Sequence, residues 1–156
     1  MHDLFNPAGL CVLEDRQGAI AYGYVAHRVF YSRFVGCIVG ELAHDYLRQL
    51  EDVSRGAASF AFFADASALR EYDLSARACF AEFVSASRSR LTTLTILTLA
   101  GSTGAASCAL SAAVGQPVDI LSDPLEFESL LCNVAPPLSQ RALPEWAQVW
   151  QVHAPR

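Results

Sequence analysis

From residue 60 onward the chain alternates short apolar runs with stretches of helical period, and this alternation narrows its fold more than any other feature. Phe60-Ala61-Phe62-Phe63-Ala64 has no polar member, as expected of a strand covered on both faces. A helical stretch follows over about 74–90, with Phe80, Phe83 and Val84 on one face. Residues 94–99 read as a second buried strand, 102–114 as an Ala-rich helix closed by Gly115, and 118–121 as a last strand. Asp123 then offers an N-cap and Pro124 the first position of a final helix through Phe127, Leu130 and Leu131. Strands separated by helices need crossover connections, so this part of the chain predicts a parallel sheet.

The first third has a different rhythm. Runs of β-formers at 10–13, 19–26 and 29–35 are split by tight turns, including Glu14-Asp15-Arg16-Gln17-Gly18, and predict two or three antiparallel strands. Leu42, Tyr46, Leu47, Leu50 and Val53 then fall at helical spacing among charged residues, giving an amphipathic helix that stops near Gly56. Together the parts predict one α/β domain over 1–134, with a mixed sheet covered by about four helices. The sheet is antiparallel in its N-terminal strands and parallel in its C-terminal ones. Ala135-Pro136-Pro137 breaks the pattern and opens a Pro-rich tail over 135–156, where Trp146 and Trp150 share a face if helical. That face either folds back over the core or serves as an aromatic anchor for a partner.

Composition removes several function classes. Apolar residues make up 53% of the chain and charged ones 17%, which excludes general disorder. The net charge is −5 with no basic cluster, against the basic face that nucleic-acid binding needs. Lys is absent, so Schiff-base chemistry and a Walker-type phosphate loop are excluded. The five cysteines (11, 37, 79, 108 and 132) are scattered in apolar stretches, without disulfide or zinc spacing. No basic-then-apolar leader or membrane-length run stands out, and the expectation is a cytoplasmic protein without metal or cofactor.

The polar residues that stand out lie within Asp65-Ala66-Ser67 and Asp73-Leu74-Ser75-Ala76-Arg77, two Asp-x-Ser units eight residues apart. Asp73 suits an N-cap, which places Ser75 in the first helical turn, where free N–H groups favour an anion. A phosphate there would add about −1.5 to −2 charges, with Arg70 or Arg77 as counter-ions. In the simpler reading Asp73 only caps and Arg77 pairs with Glu71, Asp73 or solvent. Gly101-Ser102-Thr103-Gly104 opens the Ala-rich helix, and Ser102 and Thr103 form either an anion-binding start or a plain tight turn. His2, His27, His44 and His153 have no partner identifiable from spacing, and no catalytic residue is assigned.

These units resemble the STAS family, the fold of anti-sigma-factor antagonists, in which a strand ends in Asp-x-Ser and an Asp-Ser-Ser/Thr-Gly box opens the next helix. Asp65 and Ser67 match the first element, and Asp73 and Ser75 match the aspartate and second hydroxyl of the box. Gly36-Cys37-Ile38, with Tyr46 and Leu50 downstream, is similar to the family's Gly-x-Leu turn and following helix. Leu74 and Ala76 depart from the box, in the manner of the divergent STAS/SEC14-like bacterial branch. The resemblance implies a non-catalytic regulatory module whose Asp65, Ser67, Asp73, Ser75 and Arg77 dock a serine kinase or an anti-sigma factor. Ser75 would be the phosphorylated hydroxyl. Self-association is compatible with it. The SEC14-like kinship implies an alternative, a binder of an apolar small molecule or lipid, suggested also by Tyr22, Tyr24, Phe30, Phe34, Phe62, Phe63, Phe80 and Phe83. A small enzyme whose polar groups converge only on folding is the third reading.

Overall fold

The computed structural model describes residues 10–98 and 118–134. Strands β1 (Cys11–Glu14), β2 (Gly18–Ala26) and β3 (Val29–Ile38) lead into helix α1 (Gly40–Ser54). They are followed by β4 (Phe60–Tyr72), α2 (Leu74–Ala86), β5 (Leu91–Leu97), β6 (Val118–Leu121) and α3 (Pro124–Val134). All six strands form one sheet in chain order. The β1–β2 and β2–β3 pairs are antiparallel, and the β3–β4, β4–β5 and β5–β6 pairs are parallel.

Connection length sets these directions. Asp15 Oδ1 accepts the N–H groups of Gln17 and Gly18 at 2.7 and 2.8 Å, folding β1 tightly back into β2. Only His27 and Arg28 separate β2 from β3, enough for a hairpin and nothing longer. Between β3 and β4 the chain spends α1 on a crossover, which returns it parallel. β3 is thus the seam between an antiparallel half and a parallel half.

Alternation along the strands feeds two cores. On one face Ile20, Tyr22, Phe30, Phe34, Phe60, Phe62, Leu94 and Ile96 pack against Leu42, Tyr46 and Leu50 of α1 and Phe83 and Val84 of α2. On the other, Val25, Val29, Tyr31, Phe63 and Leu97 meet Phe127 and Leu131 of α3. This two-sided burial is why Phe60-Ala61-Phe62-Phe63-Ala64 shows no polar alternation. α3 starts as its sequence dictates, with Asp123 Oδ1 accepting the Leu125 N–H at 2.9 Å.

Several boundaries differ from the sequence expectation. α2 stops at Ala86, not near residue 90, because the N–H groups of Arg90 and Leu91 both return to the Ser87 carbonyl and turn the chain into β5. The stretch 65–72, beyond the apolar run that marked the strand in the sequence, continues β4, since β3 runs past Gly36 to Ile38 and pairs with Asp65, Ala68, Leu69, Glu71 and Tyr72. Gly36-Cys37-Ile38 therefore ends a strand and is not a turn. Three helices lie among the described residues. The helix expected over 102–114, with Ser102 and Thr103, and the tail with Trp146 and Trp150, lie outside them.

Candidate functional site

The two Asp-x-Ser units, adjacent in sequence, end up in opposite surroundings. Asp73 follows β4 with extended backbone (φ −71°, ψ 170°), and its Oδ1 accepts the Ala76 N–H at 2.7 Å as the N-cap of α2. Its other oxygen, Oδ2, accepts the N–H of Gly40, the first residue of α1, at 3.2 Å. Val39, which holds the N-cap position of α1, contributes no side-chain acceptor of its own. One carboxylate therefore serves the starts of two helices. Topology explains the coincidence: β3 and β4 are neighbouring parallel strands ending side by side, Ile38 opposite Tyr72. Each turns into a helix on the same face, and the Asp73 N–H donates to the Ile38 carbonyl at 3.1 Å.

The N–H of Ala76 above all, then those of Gly40 and Ser75, hold the Asp73 carboxyl below its usual range. A carboxyl with a depressed folded-state pKa stabilises the fold fully above its unfolded value and loses that contribution as pH falls through the folded one. The stability gap between wild type and Asp73→Ala is accordingly expected to stay constant above about pH 5 and to close progressively below about pH 4. Urea titrations across that range measure it, and a gap independent of pH would show that the carboxylate's charge is not what holds the helix starts.

Ser75 is exposed in the first turn of α2, as expected. Its Oγ and Cβ lie where a side chain on Gly40 would have to go, so Gly40 is what lets the two helix starts close on each other. Leu74, standing in place of the first hydroxyl of the STAS box, is 81% exposed. Arg77 engages Tyr72: its Nε donates to the Tyr72 carbonyl at 3.2 Å and its guanidinium lies 5.0 Å from the centre of the Tyr72 ring.

Asp65, expected on the docking surface, is buried within β4 at 7% exposure. Between Arg33–Asp65 and Val35–Ala68 the register slips, so β4 bulges at Ala66 and Ser67. Asp65 Oδ1 collects the Ser67 N–H at 3.0 Å and the Ser67 hydroxyl at 2.5 Å. Asp-Ala-Ser is thus a bulge-stabilising unit. The Tyr31 hydroxyl donates to Oδ2 at 3.2 Å, and burial together with the Asp65 charge pushes that hydroxyl well above its usual pKa, so it stays a donor. Arg33, directly opposite on β3 and 6% exposed, places Nε 3.7 Å from Oδ2, and Nε has no hydrogen-bond partner among the described residues. Sequence reading missed Arg33. The available signal was a lone charge in the run Val29-Phe30-Tyr31-Ser32-Arg33-Phe34-Val35.

The alternatives gain less. Each of the eight aromatic residues singled out has a ring partner in the protein, for example Tyr22 with Tyr46, Phe34 with Phe80, Phe62 with Phe83 and Phe63 with Phe127. Their abundance is absorbed by ring packing, most of it edge-to-face, with Tyr24 and Phe30 tilted at 40°. His27 is exposed at the β2–β3 turn, and His44 meets Asp45 at 3.9 Å on the solvent side of α1. Among the described residues no group of three or more His, Cys, Asp or Glu side chains is placed to hold a metal ion.

No family model matches the sequence, and no curated protein does. A solved structure does match the fold: a protein of the DUF3478 family from Shewanella loihica PV-4, described as having a SpoIIAA-like fold. The two share 14% identity and superpose with a TM-score of 0.61 over 77% of this chain and 99% of that one. The chain has a STAS-like fold. Among the described residues no helix is long and apolar enough to cross a membrane.

Proposed function

We propose that this protein is a non-catalytic regulatory module, akin to an anti-sigma-factor antagonist, that docks a protein partner through the start of α2 with Ser75 as its phosphorylation site. The partner class is a serine kinase or an anti-sigma factor of the same cytoplasm. The observation that carries the reading is Leu74, 81% exposed beside the exposed hydroxyl of Ser75 at a helix mouth. A large, largely exposed apolar side chain next to a modifiable hydroxyl is what a docking site presents. The mouth offers backbone N–H groups to a phosphate, and two new negative charges would oppose an acidic or apolar partner surface.

Leu74→Asp is expected to weaken binding of a candidate anti-sigma kinase from the same genome by roughly tenfold or more, since burying a leucine contributes about 1.5–3 kcal/mol. Its thermal stability should stay close to wild type, because Leu74 is 81% exposed. Calorimetric titration reads the affinity, and mass spectrometry after incubation with ATP reads the site of phosphorylation. Binding untouched by Leu74→Asp, together with no phosphate on Ser75, would remove the proposal.

A further inference from the structure

The same mouth contains a built-in link between the two helices, and it suggests how a change at Ser75 is felt beyond its own side chain. The Asp73 carboxylate divides its oxygens, Oδ1 toward the Ala76 N–H of α2 at 2.7 Å and Oδ2 toward the Gly40 N–H of α1 at 3.2 Å. α1 has no side-chain cap at Val39, so the Asp73 contact is the side-chain hydrogen bond that its start receives from across the fold. The Ser75 side chain meanwhile rests on Gly40 with no room for even a methyl group between them.

We propose that Asp73 is a latch joining the first turn of α1 to that of α2, and that modification of Ser75 is read out as its release. This inference rests on Ser75 being the modified hydroxyl. A phosphoryl group on Ser75 Oγ carries about two negative charges and three strong acceptor oxygens. It arrives beside a carboxylate that is itself ionised and competes with it for the same few N–H groups. Arg77 is engaged with Tyr72, and Glu41 adds another negative charge in the first turn of α1. Of the two Asp73 contacts, the 3.2 Å bond to Gly40 is the longer and the one bridging separate elements. It yields first. Steric pressure acts in the same direction, because any group that grows from Oγ toward α1 meets Gly40 at once. The outcome is an α1 start detached from α2 at the surface where a partner lands, with both cores unchanged.

Amide NMR on the whole protein tests this through the Gly40 N–H. Ser75→Glu should shift that resonance and speed its hydrogen exchange roughly tenfold or more, the loss expected for one charge-assisted hydrogen bond. Asp73→Ala should do the same without any change at Ser75, while Ser75→Gln, of like size but neutral, should give a smaller effect. Amides of β4 and β5 should stay as in wild type, which separates unlatching from general loosening. An unchanged Gly40 amide in Asp73→Ala would overturn the latch, and one changed in Asp73→Ala but not in Ser75→Glu would overturn its coupling to Ser75. Release of Gly40 in Ser75→Glu, with no kinase or anti-sigma partner ever binding, would leave the latch standing and count against the proposed function alone.

Discussion

Asp65→Ala is expected to lower folding stability by about 3–5 kcal/mol, the typical result of removing one member of a buried ion pair. Asp65 and Arg33 are 7% and 6% exposed, so deleting the carboxylate leaves a guanidinium in the interior without its compensating charge. The Ser67 N–H at the bulge and the Tyr31 hydroxyl lose their acceptor in the same step. Arg33→Met is expected to cost clearly less, because Asp65 keeps three donors: the N–H and hydroxyl of Ser67 and the hydroxyl of Tyr31. The pair Arg33→Met/Asp65→Ala should recover part of the loss of Asp65→Ala, since no charge then remains buried. Urea unfolding of the four proteins measures the cycle. Losses of the two single variants that simply add in the double variant, or a loss below about 1 kcal/mol for Asp65→Ala, would mean that the two charges do not depend on each other inside the sheet.

That cluster marks the boundary of what the sequence discloses. The parallel half of the sheet was legible because unbroken apolar runs such as Phe60-Ala61-Phe62-Phe63-Ala64 occur where both faces are covered, and the helix starting after Asp73 was legible from its cap. Asp65 was not, because a polar residue after an apolar run reads as the end of a strand. Only the partner strand shows otherwise: β3 carries Arg33 at the opposing position and continues to Ile38, holding β4 extended through its bulges. Local pattern cannot report the length of a non-local partner. The double duty of Asp73 was hidden for the same reason. Its bond to Ala76 is three residues away and predictable, whereas Gly40 lies 33 residues back and reaches it only because two parallel strands end in step. Leu74 was visible as a departure from the STAS box, but its exposure needed the fold.

Gly36→Ala is expected to be the other severe change, with a loss of about 3 kcal/mol or more, a large share of the 5–15 kcal/mol that holds a domain folded. Gly36 has φ 75°, the left-handed region, where a Cβ costs about 1–2 kcal/mol by itself. Sterics add to this. The new methyl would be driven onto the Gln17 carbonyl oxygen and lie 3.2 Å from the Cα of Gly18, the residue paired with Gly36 across β2 and β3. These are backbone atoms, unable to swing aside like a side-chain tip. The Gln17 oxygen is also the acceptor for the Cys37 N–H at 3.0 Å, so moving it breaks the bond that carries β3 on toward Ile38. Ile38 in turn holds the Asp73 N–H, and the disturbance should therefore reach the helix starts as well as lower the midpoint of unfolding. Gly56→Ala is the control, since an added Cβ there meets nothing within 4 Å and the backbone is not in the left-handed region. It should be neutral or slightly stabilising through the reduced freedom of the unfolded chain. Chemical denaturation of both variants decides the matter: a Gly36→Ala protein as stable as Gly56→Ala would mean that β3 does not cross Gln17 at Gly36, and the registration that brings Ile38 beside Tyr72 would have to be drawn differently.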